Sequence, residues 1–401
     1  VNGLSYEDYV HHCVNNRTLL QMKQELVPNG GYCNRQLIQA GQGIRMHRGA
    51  NSGHNEGVWI PRNRAEGRTT VDGEILGPSD SKELVLVKSF AMSEDGIMTP
   101  ELISETSNMF RDQSNIGLKM TSATAGSITQ GGLSLKHQGT LLELDKHLQL
   151  KARAKCKVRK LTQDSIEITE ESGLKYNHFI PSDFILANPN GEYEKGEIIG
   201  FRDKFTDPGF KGRSMIDLLG AMSTEDMSLS KGRVPDYALC VTPVGGTVHY
   251  DMEYIHIGRL SLPRNPERVY YYFEGENIPA YTIICDGVLD CRNIVNYCPN
   301  NRDYYGCFRS YFLSLLPQMN EQTVEYVFTT ITTRTPDGRI EYTGVKSKVR
   351  EDKSTLTNIG YEGASMIIPS VLSEAAEVKE VNTEERDLFY EYYLTLFGGH
   401  I

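Results

Sequence analysis

The sequence has no D-x-D-x-D run, no C-x-x-C pair and no apolar stretch of membrane-spanning length. The first absence excludes a self-contained triple-aspartate metal loop, and the third excludes a helical membrane span. The eight cysteines cluster only at Cys285, Cys291, Cys298 and Cys307, a spacing too loose for a usual zinc site. The first residues lack a charged-then-apolar leader pattern, so the expectation is an intracellular chain with reduced thiols. Positive charge is short as well. The formal net charge is −10, so the chain as a whole does not attract nucleic acid, and any such contact must come from local patches or from partners.

What is present describes a globular chain. Its 401 residues allow two or three domains, and 39% apolar with 23% charged residues is slightly polar for that class. Residues 5–28 read as a helix, with Leu19, Met22 and Leu26 at i, i+3 and i+7. Pro28 and the following "NGG" should end it, and "YCNRQLIQAG" reads as a second short helix. Residues 46–80 look loop-like, "SKELVLVKSFAM" reads as a strand, and "TPELISETSNMFRDQ" reads as a helix with Thr99 as N-cap and Pro100 first. From about 150 to 285 short strand patterns dominate, among them "KARAKCKVRK" and "ERVYYYFEG". Helical patterns return at "NNRDYYGCFRSYFLSLLPQM" and "GASMIIPSVLSEAAE".

In "KARAKCKVRK" the residues Lys151, Arg153, Lys155, Lys157 and Arg159 all occupy odd positions, so one strand would present all of them on one face. Such a face could contact a phosphate backbone, or it could pair with Glu167, Glu170 and Glu171 across a hairpin.

The stretch "SATAGSITQGGLSLKHQGT" is nearly devoid of large apolar residues. As a helix from about Ile128 it would align Gln130, Leu133 and His137 on one face over about 10 Å. Gly131 and Gly132 each weaken that helix by about 1 kcal/mol relative to alanine. Such a segment is poised between loop and helix, and a ligand that prefers the helical face would decide it. A histidine at its end suits a place where charge develops near neutral pH.

The longer stretch "SNIGLKMTSATAGSITQGGLSLKHQG" resembles the trigger-loop region of the largest (β′) subunit of multisubunit DNA-directed RNA polymerases. Ile116-Gly117, Thr129-Gln130 and His137 match its I-G, T-Q and final H, and Leu133 stands where the family has methionine or leucine. Ser134 and Lys136 depart from the pattern, and the E-P before T-Q is absent. Upstream, "NNRTLLQMKQELVPNGGYCNRQLI" is similar to the bridge helix, with Arg17, Leu20, Gly31-Tyr32, Arg35 and Leu37 aligned without a gap. Pro28 replaces a small residue of the family. Downstream, "VLDCRNIVNYCPNN…VFTTITT" and "STLTNIGYEGASMIIPSVLSEAA" resemble the last β′ segments, in family order. The overall pattern is most like the split C-terminal β′ subunit of large (jumbo) tailed-bacteriophage polymerases.

The resemblance implies an α+β, elongated, multi-segment subunit of a double-psi-barrel polymerase assembly, without the metal-site barrel itself. Its expected parts are a bridge helix at 1–45, a secondary-channel region at 46–110, a trigger loop at 111–150, a β-rich jaw or insertion at 151–285 and a clamp and switch region at 286–401. It implies a transcription enzyme, a nucleotidyltransferase active only as a multisubunit complex. Its Mg2+ would be held by a partner subunit, with no metal site here. Partners would be the β′ N-terminal subunit, β subunits and a promoter-specificity factor, with DNA template, RNA transcript and nucleoside triphosphates and no membrane. The place would be the infected bacterial cytoplasm or the virion. His137 would be catalytic, and Gln130, Leu133 and Ser134 would contact the nucleotide. Arg17, Lys23, Val27, Pro28, Gly31, Tyr32 and Arg35 would lie on a kinked bridge near the nucleic acid, with Arg17 and Arg35 on one face about 27 Å apart. The rival expectation is a non-catalytic structural or virion protein that shares short motifs.

Overall fold

In the computed structural model the described residues are 5–49, 56–93, 98–103, 110–133, 149–202, 240–287, 289, 291–317 and 319–345. They fall in a compact unit, Val1–Val345; a second unit, Lys346–Ile401, lies outside them together with the sequence block at 354–376. The architecture is α+β, with helices and several small antiparallel sheets.

Helix α1 spans Tyr6–Gly41, and strands β1 (Gly57–Pro61) and β2 (Leu84–Lys88) pair antiparallel. A short α2 (Pro100–Ile103) precedes α3 (Ile116–Leu133). Seven strands follow: β3 (Gln149–Lys151), β4 (Cys156–Lys160), β5 (Ser165–Glu170), β6 (Lys175–Phe179), β7 (Phe184–Leu186), β8 (Glu192–Tyr193) and β9 (Ile198–Arg202). Strands β10 (Gly246–Tyr250), β11 (Tyr254–Ile257), β12 (Leu260–Pro263) and β13 (Asn277–Ile278) form one sheet in the order β12-β11-β10-β13. Helices α4 (Cys291–Ile294), α5 (Asn301–Leu315) and α6 (Glu321–Ile331) lead to the hairpin β14 (Thr332–Arg334) and β15 (Ile340–Tyr342).

The β3-β9-β7 and β6-β5-β4-β8 sheets close over one apolar core. Alternation builds it: Cys156 and Val158, Ile166 and Ile168, and Tyr176 and His178 point inward from successive strands. Val269 and Phe273 add to the same core from "ERVYYYFEG". That segment was expected as a strand, but it forms only an isolated bridge, Tyr270 to Cys285, flanked by hydrogen bonds of Tyr271 to Ile284 and Asp286 to Val269. The loop-like reading of 46–80 is corrected by β1, whose short "GVWIP" finds its partner only in β2, 23 residues downstream by the register Pro61 to Leu84.

Helix α1 is continuous for 36 residues, about 54 Å at helical rise, and passes through Pro28 without ending. The stop suggested by Pro28 and its glycines is thereby corrected, and the single long helix implied by the resemblance is the one that forms. An interior proline costs a helix about 3 kcal/mol, and burial of the apolar side chains of Cys33 and Leu37 just beyond it works against this cost. Of the expected helix over "TPELISETSNMFRDQ", α2 covers Pro100–Ile103, residues 104–109 lie outside the described ones, and 110–115 are not helical. Thr99 precedes Pro100 as expected, yet its hydroxyl makes no hydrogen bond among the described residues.

Candidate functional site

The two segments that drew attention in the sequence lie side by side. The backbone of α3 at Gly117 approaches the Gly41 carbonyl so closely that any β-carbon at 117 would overlap it. Further along, Tyr326 of α6 bridges Leu37 of α1 and Thr121 of α3, and the Asn34 side chain donates to the Ala125 carbonyl at 3.4 Å. Contacts fall back along α1 as they advance along α3, so the helices run antiparallel. Continued one further turn and a half, this register brings the Gln130 turn of α3 level with the Pro28 turn of α1.

Tyr326 is the pin of this junction. It is fully buried, donates to the Leu37 carbonyl at 3.0 Å and shares a 2.5 Å hydrogen bond with Thr121. A β-carbon at Gly41 would occupy the place of its hydroxyl. Burial pushes the phenol up to about 12, so it stays a neutral donor throughout the physiological range. At the helix start, Asn115 caps α3 by accepting from the Leu118 amide at 2.9 Å, and its own amide donates to the Gln42 carbonyl at 2.9 Å. Thr124 turns its hydroxyl onto the carbonyl of Met120, a local bond that competes weakly with helical order, while the Thr121 hydroxyl lies 2.8 Å from the Gly117 carbonyl and gives its one proton to the Tyr326 oxygen.

Helix α6 is itself held by buried ion pairs. Arg68 donates to Glu325 at 2.6 and 3.1 Å, both side chains being about 2% exposed, and Ser89 donates to the same carboxylate at 2.7 Å. Burial raises Glu325 above the usual carboxylate range against the opposing pull of Arg68. Removing one partner of such a pair costs about 3–5 kcal/mol, because the other charge is left buried and unpaired.

The predicted site residues fall into three groups. Arg17, Tyr32 and Arg35 are exposed on α1, and Gly31 faces open space. Lys23, Val27 and Pro28 lie in the helical backbone of α1, and Gln130 and Leu133 in the last turns of α3. Ser134 and His137 lie outside the described residues. The helix holding Gln130 starts at Ile116, twelve residues before the expected start at Ile128, because Asn115 supplies the cap and α1 the packing surface.

The basic strand is corrected. Residues 152–155 bend between β3 and β4, so the five cations do not share one face. Arg153 pairs with Glu170 at 2.6 Å and lies over the Tyr176 ring, Lys155 pairs with Glu194 at 2.5 Å, and Lys157 with Glu192 at 2.6 Å. Burial alone would raise Glu170, but hydrogen bonds from Arg153 and Tyr176 hold it below the usual carboxylate range. The carboxylate reading of the hairpin holds for Arg153, with Glu192 of β8 and Glu194 just beyond it, rather than Glu171, supplying the partners of the two lysines. Arg159 faces Glu167 in register, and Lys151 stands apart on β3.

Among the described residues no three His, Cys, Asp or Glu side chains could hold a metal ion. All cysteines but Cys13 are buried, and burial pushes the Cys33 and Cys240 thiols up to about 12, away from thiolate chemistry. No described helix is long and apolar enough to cross a membrane. In comparisons with known proteins, no protein-family model and no curated protein matches the chain. Tyr326 and Thr121 escaped the sequence reading, since a tyrosine some two hundred residues from its partner leaves no local periodic signal.

Proposed function

We propose that this chain is the C-terminal β′-type subunit of a multisubunit DNA-dependent RNA polymerase, most like the split subunit of large bacteriophages, and that α1 acts as its bridge helix and α3 as the root of its trigger loop. One observation carries the reading. Two segments picked out by resemblance, 75 residues apart at Gly41 and Ile116, fold as one long helix and a second helix packed antiparallel against its end.

The chemistry is what the resemblance implies for elements placed this way. The metal ions would come from the partner β′ N-terminal subunit, and they would activate the RNA 3′ hydroxyl and neutralise the leaving pyrophosphate. This chain's own part is to bind and orient. Extension of α3 past Leu133 by one turn would put His137 on the face that already carries Gln130 and Leu133. Leu133 would then pack on the incoming base, Gln130 would reach the ribose, and His137 would approach the β-phosphate, where it can donate a proton or stabilise charge. Helix growth linked to a matched nucleotide converts binding energy into selectivity. Arg17 and Arg35, both exposed on α1, would face the nucleic acid.

The test is template-directed RNA extension by the purified complex at saturating nucleotide. His137→Ala should lower the extension rate about 10-fold or more with scaffold binding intact. Unchanged extension removes the trigger-loop role, and a chain that never enters such a complex removes the polymerase reading in favour of a structural protein.

A further inference from the structure

An open cleft of about 680 Å³ lies between β3, the segment around Tyr272 and Tyr281, and α5. Arg64, Lys151 and Arg309 line it. The Glu321 carboxylate accepts from Arg309 at 2.6 and 2.8 Å and pairs with Arg64 at 2.9 Å, which fixes both guanidiniums in place. One carboxylate does not neutralise two guanidiniums. Lys151 is exposed and has no ion-pair partner among the described residues. The cleft thus keeps positive charge in a chain whose net charge is −10.

Two aromatic rings stand beside those cations. Tyr281 has a backbone φ of 60°, a left-handed conformation that a bulky side chain rarely adopts. Its hydroxyl donates to Asp303 at 2.7 Å, and its ring lies against Gly306 of α5, where any β-carbon would overlap it. A disfavoured backbone whose ring is held at two points of α5 fixes where that ring goes, and strain of this kind gathers at ligand-binding places. Tyr272 is half-buried in the same wall, with its carbonyl accepting from the Tyr250 hydroxyl at 2.6 Å.

We infer that this cleft binds single-stranded nucleic acid, with Lys151 and Arg64 on phosphates and the rings of Tyr272 and Tyr281 against bases. Cations alone would accept any polyanion. Aromatic faces next to them favour one that also offers flat unpaired bases, which a duplex hides. The inference goes beyond the polymerase reading and uses no residue of α1 or α3.

The experiment is fluorescence anisotropy of a labelled oligothymidylate of about 15 nucleotides against the full chain, at two salt concentrations. Binding should weaken with salt, and Lys151→Glu and Tyr272→Ala should each weaken it about 10-fold. Lys151→Glu alters an exposed site, so its result stands even where Tyr272→Ala fails to fold. No binding, equal binding by Lys151→Glu, or equal binding of a blunt duplex or of polyglutamate overturns the inference. Oligonucleotide binding by a chain that enters no polymerase keeps this inference and sinks the other; an active polymerase whose chain does not bind does the reverse.

Discussion

The β-rich region at 149–202 and the α1–α3 junction are held together in opposite ways. The first buries alternate side chains of seven strands in a shared apolar core, so its order is distributed over many contacts. The second brings two backbones together at glycines and fixes them with a tyrosine from a third helix and the side chains of Asn34 and Asn115. Helix α3 also carries Gly126, Gly131 and Gly132, each weakening it by about 1 kcal/mol relative to alanine. The difference teaches where each region can change. A distributed core resists single changes at its surface, whereas a pinned junction depends on a few atoms.

The largest effect that would sharpen this contrast belongs to Gly117→Ala. Its β-carbon would overlap the Gly41 backbone, so the junction must shift, at a cost of about 3 kcal/mol, read by thermal unfolding. A loss below about 1 kcal/mol would show that the helices are not in direct backbone contact.

The β-rich region should respond instead to pH, through His178. This residue is fully buried, donates to the Tyr270 carbonyl at 3.0 Å, and burial depresses it from 6.5 to about 4. The unfolded chain binds the proton more readily, so the contribution is fully present above about 6.5 and is lost as pH falls through about 4. The unfolding free energy should fall over that window by up to about 3 kcal/mol, read by denaturant titration, and His178→Gln should flatten the dependence. The same slope in the variant would discount the buried imidazole.

Smaller still is Tyr326→Phe. It keeps the ring and leaves the Leu37 carbonyl without its phenol donor, a loss of about 1–2 kcal/mol. If the pin also matters for the proposed reaction, extension should slow while scaffold affinity holds, a split that a purely structural loss would not produce. At the bottom of the range, Lys157→Ala breaks an exposed pair with Glu192, and unfolding should not measurably change.

Much of this was legible in local pattern. Short strands from 150 to 285 announced the sheets, and "NNRDYYGCFRSYFLSLL" announced α5, because alternation and helical periodicity are written in neighbouring residues. Pro28 and its glycines were misleading for the converse reason: their local preference is real, but packing beyond them outweighs it. The five odd-position cations were misread as one face because the bend at 152–155 is imposed by the two sheets that β3 and β4 join.

By itself the sequence determined the α+β character, the polymerase resemblance, and the face that Gln130, Leu133 and His137 would share, since all three depend on residue order and helical geometry alone. Only the tertiary structure decided between a stop at Pro28 and an unbroken α1, set the start of α3 at Asn115's cap, and joined the two through Tyr326. The physical reason is distance along the chain. A buried hydrogen bond from residue 326 to residues 37 and 121 is as short as any local one, and no window of neighbouring residues contains both of its ends.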